Sequence, residues 1–309
     1  MIRSSPCSFL CSFSWKFSAV ACAAVLVAAA CRSGADTSDA HAPTANDGAD
    51  SARLALVRVD DAALATEVVS VPGTAVSFAM VRVPGGFLRG ERVESLAVAT
   101  LEVTWDDYLA MLLESEGPPP SKSGEPIDGF ARPTKPYIAT DRGYGQGKRP
   151  IISISAKGAE SFAHWLALRT GRPFRLPTER EWEWAARAGS TGRWTCGDDP
   201  SELGALAWFD ANANQSSQLV GTKAPNAWGL FDVHGNVAEW CRVEQPDGTK
   251  YGAHALAGGS FFDLAEGLEF GMREFRDTDW NMSDPQIPKS VWWLANAAWP
   301  GMRVVMDVE

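Results

Sequence analysis

Apolar and polar residues alternate along residues 54–83, a stretch rich in valine. A period of two predicts β-strands, because successive side chains of a strand point to opposite faces of its sheet. The run Pro84, Gly85 and Gly86 then predicts a turn, and residues 87–90 return to the sheet. The globular region is therefore expected to begin with strands.

Helices follow, and polar residues mark their predicted starts. Thr104, Ser155 and Thr178 are suited to the N-cap position, where a side-chain oxygen accepts a hydrogen bond from a free backbone N–H. Glu181 completes a capping box with Thr178, and Gly171 is suited to ending the second helix. Further along, short runs of Gly, Asn, Asp and Trp replace any long helical pattern. The pattern predicts an α+β domain rich in irregular structure.

Composition narrows the range of functions. The 309 residues allow one large domain or two small ones. The 13 tryptophans favour a loop-rich fold in which large rings fill the gaps that regular elements leave. A formal net charge of −10, without a basic patch, argues against a nucleic-acid partner.

The first 31 residues are typical of an export signal. Arg3 and Lys16 flank an apolar stretch over 17–30, which is shorter than the roughly 20 residues that a membrane-spanning helix needs. Small residues at 28–30 precede Cys31, an order that resembles a bacterial lipobox with a lipidated cysteine. The alternative is plain secretion with an incidental Cys31. The residue that follows Cys31 is Arg32 and not Asp, which favours sorting of such a lipoprotein to the outer membrane of a Gram-negative cell.

Residues 32–53 are expected to form a flexible tether. They are mostly Ser, Ala, Asp, Thr and Gly, and they have too little apolar surface to offset the entropy of ordering. The chain is thus divided into a signal peptide (1–31), a tether (32–53) and a domain (54–309). Its expected location is the cell envelope, as a periplasmic or surface-exposed lipoprotein that touches the membrane only through its lipid anchor.

Two of the six cysteines, Cys196 and Cys241, lie in the predicted domain. An oxidising compartment permits a disulfide between them. It would close a loop of about 45 residues and stabilise the fold by about 4 kcal/mol in the chain-entropy model. The alternative is two buried free thiols.

Short sequence blocks occur in a fixed order between residues 74 and 309. The two longest and most specific are 174–185 and 225–240, and the others are 83–90, 101–105, 154–165, 258–261 and 301–304. Together they resemble the formylglycine-generating enzyme family, also called sulfatase-modifying factors. The resemblance implies a C-type-lectin-like fold with little regular structure, in agreement with the α+β pattern.

The resemblance also implies a calcium site. In the family, one calcium is held by the side chains at the positions of Asp232 and Glu239 and by the main chain at Gly235 and Val237. Carboxylate and carbonyl oxygens are the ligands that this hard cation prefers, and its role here would be structural. The alternative is that Glu239 and Asn236 only hydrogen-bond the loop.

The copper site of the family is missing. The family's enzyme oxidises a cysteine of a sulfatase to formylglycine with oxygen and with copper held by two of its own cysteines. This chain has Asp263 and Leu268 at those two positions, and Ala257 replaces the arginine that usually precedes the paired glycines. A carboxylate and a leucine cannot replace thiolates, the ligands that Cu(I) prefers. Copper is therefore not expected, and no catalytic residue is assigned.

A candidate ligand surface lies near the end of the chain. Tryptophan rings beside hydrogen-bonding groups suit a glycan or an extended peptide. The residues are Arg273, Arg276, Trp280, Asn281, Trp292 and Trp293. The alternative is that Trp292 and Trp293 fill the core beneath a long loop.

Three functions remain open at this point. The favoured one is a binding or structural module whose partner is a glycan, a peptide or an envelope protein. The second is a formylglycine-generating oxidase with a rearranged site, which requires Cys196 and Cys241 to lie close together as thiols. The third is another enzyme that uses a carboxylate such as Asp263 in the old site.

Overall fold

The structure is a computed structural model that describes residues 57–59, 64–114, 139–244, 253–275, 280–283 and 291–308. The chain divides into two units, 1–45 and 46–309, and every described residue belongs to the second. The predicted signal peptide (1–31), Cys31 and the tether (32–53) lie outside the described residues. Within the described ranges, no helix combines the length and the apolar character that crossing a membrane requires.

The largest sheet has five antiparallel strands. Its order is β2 (Ala65–Ser70), β3 (Ser77–Val83), β6 (Leu96–Ala99), β14 (Val305–Asp307) and β7 (Phe174–Arg175). The C-terminal strand therefore lies inside the sheet, between strands from the first and middle parts of the chain. The strands predicted within residues 54–83 are confirmed where the structure describes this stretch, and β3 shows buried and exposed positions in turn near its start.

Three smaller sheets complete the described strands. A three-stranded sheet has the order β1 (Val57–Val59), β4 (Gly86–Leu88) and β5 (Glu91–Val93). A four-stranded sheet has the order β10 (Arg273–Phe275), β9 (His254–Ala257), β8 (Ala238–Arg242) and β13 (Pro300–Gly301). A two-stranded sheet pairs β11 (Asn281–Ser283) with β12 (Val291–Ala295). Strand β10 thus lies at an edge of the four-stranded sheet.

The α-helices in the described ranges are α1 (Trp105–Glu114), α2 (Ala156–Thr170) and α3 (Glu179–Arg187). Their predicted caps are confirmed. Ser155 accepts a hydrogen bond from the Gly158 N–H, and Gly171 ends α2 with a φ of 67°. Thr178 and Glu181 form the capping box of α3. Because a cap depends on residues three positions apart, the sequence alone specifies it.

Tryptophans fill the core, as the composition predicts. The most buried are Trp105, Trp184, Trp194, Trp240 and Trp292, each under 2% exposed. Several of these rings also hold loops, because their indole N–H donates to a backbone carbonyl across the fold. Trp184 donates to the Pro84 carbonyl at 2.8 Å, and Trp240 donates to the Ile154 carbonyl at 2.9 Å.

A buried carboxylate on α3 joins three parts of the fold. Glu183 is 2% exposed and accepts hydrogen bonds from Arg89, Arg187 and Arg273. Arg187 is itself 4% exposed, whereas half of the Arg89 side chain is open to solvent. Burial would raise the pKa of Glu183, but its bonds to Arg89 and the charge of Arg273 outweigh burial and lower it. The carboxylate is therefore held ionised among three cations.

Candidate functional site

A buried ionic centre lies beneath the loop of residues 232–239. Arg303 and Glu239 are 2% and 1% exposed and form an ion pair. The Arg303 Nε lies 3.1 Å from both carboxylate oxygens of Glu239, and Nη2 lies 2.8 Å from Oε1. The indole N–H of Trp182 donates to Glu239 Oε2 at 2.7 Å. Both oxygens of Glu239 are therefore engaged by protein donors.

Two further carboxylates lie close to this pair. Glu102 accepts hydrogen bonds from the Asn236 side chain at 2.6 Å and from the Val237 N–H at 3.1 Å. Burial, followed by the charges of Asp232 and Glu239, raises the pKa of Glu102 well above its ordinary value. Three buried carboxylates, Glu239, Glu102 and Asp232, thus act electrostatically on the one guanidinium of Arg303.

Asp232 is the member of this group with a free oxygen. Its Oδ2 accepts a hydrogen bond from the Gly221 N–H at 2.6 Å, whereas the buried Oδ1 has no partner among the described residues. Burial raises the pKa of Asp232. The residue has a φ of 53°, in the left-handed region that Asp and Asn tolerate.

The four residues expected to bind calcium lie in this loop, but the side-chain oxygens of the two carboxylates among them are not equally free to bind a cation. Asp232 has an oxygen to offer, whereas Glu239 is bound by Arg303 and Trp182. Gly235 has a φ of 74°, and a Cβ there would lie 2.1 Å from the Trp208 carbonyl oxygen, so only glycine fits. Across the described parts of the chain, no three His, Cys, Asp or Glu side chains are grouped as metal ligands. Calcium stays a prediction, carried by the unpartnered oxygen of Asp232.

The residues at the family's copper positions have other roles. Asp263 Oδ2 accepts hydrogen bonds from the N–H and the hydroxyl of Ser260, each at 2.7 Å. Leu268 is fully buried beside Trp194, and its carbonyl lies 2.9 Å from His234 Nδ1. One position caps a turn and the other fills a core. The residues present do not fit copper.

Cys196 and Cys241 are both free thiols, so the disulfide that the sequence left open is not formed. Cys241 is fully buried on β8, in a cluster of core residues that includes Trp184. Cys196 packs against a separate cluster around Trp194, and its Sγ lies 3.8 Å from the Asp199 carbonyl. Burial raises the pKa of both thiols, that of Cys241 most strongly. Sequence separation alone could not reveal that the two cysteines belong to different clusters.

The predicted ligand surface near the C-terminus is partly wrong. Trp292 and Trp293 are 0% and 6% exposed, because both faces of β12 are covered, and Trp293 packs on Tyr108 at 5.5 Å. They fill the core, which was the alternative interpretation. Trp280 is half-buried against Trp299. Asn281 lies in β11, and Arg276 lies outside the described residues.

An open cleft lies beside the old copper position, between residues 259–267 and the edge strand β10. It has a volume of about 170 Å³. Its chemically active lining residues are Asp263, Arg273 and Glu274, and Met272 adds an apolar wall. The sequence does not single out Glu274, because the middle residue of a three-residue strand belongs to no recognisable motif. Glu102 and Arg303 were not predicted as site residues either, although they lie in the family blocks 101–105 and 301–304.

Comparison with known proteins identifies the family that the chain resembles. Residues 57–289 match the family model described as the sulfatase-modifying factor enzyme 1-like domain. The chain is 32% identical over 145 residues to the serine/threonine-protein kinase pkn1 of Chlamydia pneumoniae, covering 42% of this chain and 22% of that protein. It is 36% identical over 106 residues to the formylglycine-generating enzyme of Mycobacterium tuberculosis, covering 31% of this chain and 33% of the enzyme.

A further relative is described as inactive. The inactive C-alpha-formylglycine-generating enzyme 2 of Mus musculus is 32% identical over 151 residues, covering 43% of this chain and 46% of that protein. The chain thus spans less than half the length of each of these relatives. Among solved structures, Treponema denticola variable protein 1 superposes with a TM-score of 0.52 at 21% identity, covering 80% of this chain and 99% of that one. That likeness concerns the fold alone.

Proposed function

The chain belongs to the family of the sulfatase-modifying factor enzyme 1-like domain, and within that family we propose that it acts as a binding or structural module without formylglycine-generating activity. The observation that carries the proposal is the replacement of both copper positions by Asp263 and Leu268, whose side chains cap a turn and fill a core. Hard carboxylate and apolar groups do not hold Cu(I). Cys196 and Cys241, in separate clusters, supply no alternative pair.

The proposal includes export and a lipid anchor. Residues 1–31 have the order of a signal peptide that ends at Cys31, and the polar tether of 32–53 would separate the domain from the membrane surface. The partner would then be a glycan, a peptide or an envelope protein that meets the domain outside the cytoplasm.

Loss of the oxidase activity is tested with a cysteine-containing sulfatase peptide, oxygen and supplied copper. The chain from residue 32, which retains only Cys196 and Cys241, is expected to form no peptide aldehyde above the level of copper alone. Mass spectrometry of the peptide gives the readout, and a family member with both copper cysteines serves as the positive control. Copper-dependent aldehyde formation that disappears in Cys241→Ser would overturn the proposal.

The proposal also includes a structural calcium ion at Asp232. If the ion binds only the folded domain, calcium at 100 times its Kd adds about 2.7 kcal/mol to the free energy of unfolding. The melting temperature is expected to rise on adding calcium and to fall in EDTA. Asp232→Asn, which keeps the left-handed backbone and the shape of the side chain, should abolish the shift.

Asp210→Asn is the matched control for the calcium measurement, since Asp210 is exposed and lies on a neighbouring loop. This variant should retain the full shift in melting temperature. Identical melting curves in calcium and in EDTA for the unchanged chain would contradict a structural calcium ion.

A further inference from the structure

The cleft between residues 259–267 and β10 is acidic, and its two carboxylates are fixed in place. Asp263 Oδ2 is held by the N–H and the hydroxyl of Ser260. Glu274 Oε2 accepts the indole N–H of Trp299 at 2.8 Å. The second oxygen of each carboxylate has no hydrogen-bond partner within the described part of the chain. The cleft therefore presents two preorganised acceptors.

The arginine in the lining does not neutralise these carboxylates. The guanidinium of Arg273 donates to the carbonyls of Met272 and Glu179 and to the Glu183 carboxylate, so its hydrogen bonds go to groups other than Asp263 and Glu274. Partial burial, followed by the charge of Asp263, raises the pKa of Glu274. The two carboxylates thus repel one another across the cleft, and a cation between them would relieve that repulsion.

Exposed apolar side chains line this cleft or are adjacent in sequence to one of its lining residues. Met272 lines it and is 49% exposed, and the residues on either side of Asp263, Phe262 and Leu264, are 38% and 65% exposed. The Phe262 ring also packs edge-on against Trp299, with ring centroids 6.2 Å apart. Exposed apolar side chains beside fixed acceptors suit a ligand that has an aliphatic stem and a charged end.

We propose that this cleft binds the side chain of a lysine or arginine from a peptide partner, with the cationic head between Asp263 and Glu274 and the stem along Met272. The inference rests on the proposed binding function and names its partner class. The aromatic rings of Phe262 and Trp299 add a cation-attracting surface beside the carboxylates. The chain's net charge of −10 would steer such a partner towards the domain.

The test is an NMR titration of the full chain with Nα-acetyl-lysine methylamide. Nα-acetyl-norleucine methylamide is the matched probe, because it keeps the aliphatic stem and lacks the ammonium group. Saturable shifts are expected for the lysine probe, with binding at least about tenfold weaker for norleucine, a difference of about 1.4 kcal/mol. Equal binding of the two probes would overturn the inference.

Variants locate the binding to this cleft. Glu274→Gln keeps an oxygen for the Trp299 indole and is expected to weaken lysine binding about tenfold. Asp263→Asn should act in the same direction, and if this variant fails to fold because the Ser260 turn is lost, Glu274→Gln still decides. Glu67→Gln, which changes an exposed carboxylate on β2 of the separate five-stranded sheet, should leave lysine binding unchanged.

The outcomes separate this inference from the proposed function. Unchanged lysine binding in Glu274→Gln overturns the inference. Binding of a glycan on an array, with no preference for the lysine probe, overturns the inference and leaves the binding module standing. Copper-dependent aldehyde formation overturns the proposed function, whatever the titration shows.

Discussion

Replacement of Arg303 by methionine is expected to lower the free energy of unfolding by about 3–5 kcal/mol, the range for breaking a buried ion pair from one side. Arg303 holds Glu239 and also donates to the carbonyls of Ala99 and Phe231 at 2.9 and 2.7 Å. Methionine fills a similar volume but supplies no donor. Glu239 would keep only the Trp182 indole and would lie uncompensated beside Glu102.

Urea denaturation measures the loss, with Arg172→Met as the control. Arg172 pairs with Glu67 at 2.9 Å, but both side chains are more than 40% exposed, so its removal should cost less than about 1 kcal/mol. The double variant Arg303→Met/Glu239→Gln should recover part of the stability, because the uncompensated charge is gone. Similar losses in Arg303→Met and Arg172→Met would contradict the assigned role of this ion pair.

Replacement of Glu183 by glutamine is expected to destabilise the domain by about 3 kcal/mol. Glutamine preserves the shape of the side chain, so the change removes mainly the negative charge among Arg89, Arg187 and Arg273. Arg187 would then be a buried cation without a counter-ion, and the three arginines would repel one another. Glu91→Gln, which loses an exposed contact of 3.4 Å to Arg180, is the control and should change stability by less than about 1 kcal/mol.

The contribution of Glu183 to the free energy of unfolding decreases as the pH is lowered. Its pKa in the folded state is lowered from an ordinary value of 4.5, so the unfolded chain binds the proton more tightly. The carboxylate therefore contributes its full stability above that ordinary value and loses it as the pH falls through the folded pKa. The stability difference between the unchanged chain and Glu183→Gln should be largest near neutrality and shrink below pH 4.5. A difference that grows on acidification would rule out this role.

The local features of the fold are predictable from the sequence, and the contacts between distant segments are not. The caps at Ser155 and Thr178 depend on residues three positions away, so their chemistry can be read directly. The partnership of Arg303 with Glu239 joins residues 64 positions apart and needs the three-dimensional fold. The family blocks reveal the loop from Asp232 to Glu239, but they do not reveal that Glu239 is paired with Arg303.

The burial of Trp292 and Trp293 could not be decided from the sequence, because it too depends on contacts between distant segments. Adjacent residues of a strand point to opposite faces, so two successive tryptophans suggest at least one exposed ring when one face of a strand is open. Here both faces of β12 are covered, and Trp292 and Trp293 are both in the core. The acidic cleft was equally hidden, because Asp263 and Glu274 come together only through the packing of the 259–267 turn against β10.

The central claim, a family member without a copper centre, is tested most directly by titrating Cu(I) into the chain from residue 32 under reducing conditions. Competition with a chromophoric Cu(I) chelator gives the stoichiometry and the affinity. The expected result is no stoichiometric tight site, because the two remaining cysteines lie in separate clusters and the family positions hold Asp263 and Leu268. One equivalent of tightly bound Cu(I), lost in Cys196→Ser or Cys241→Ser, would contradict the account and restore the oxidase.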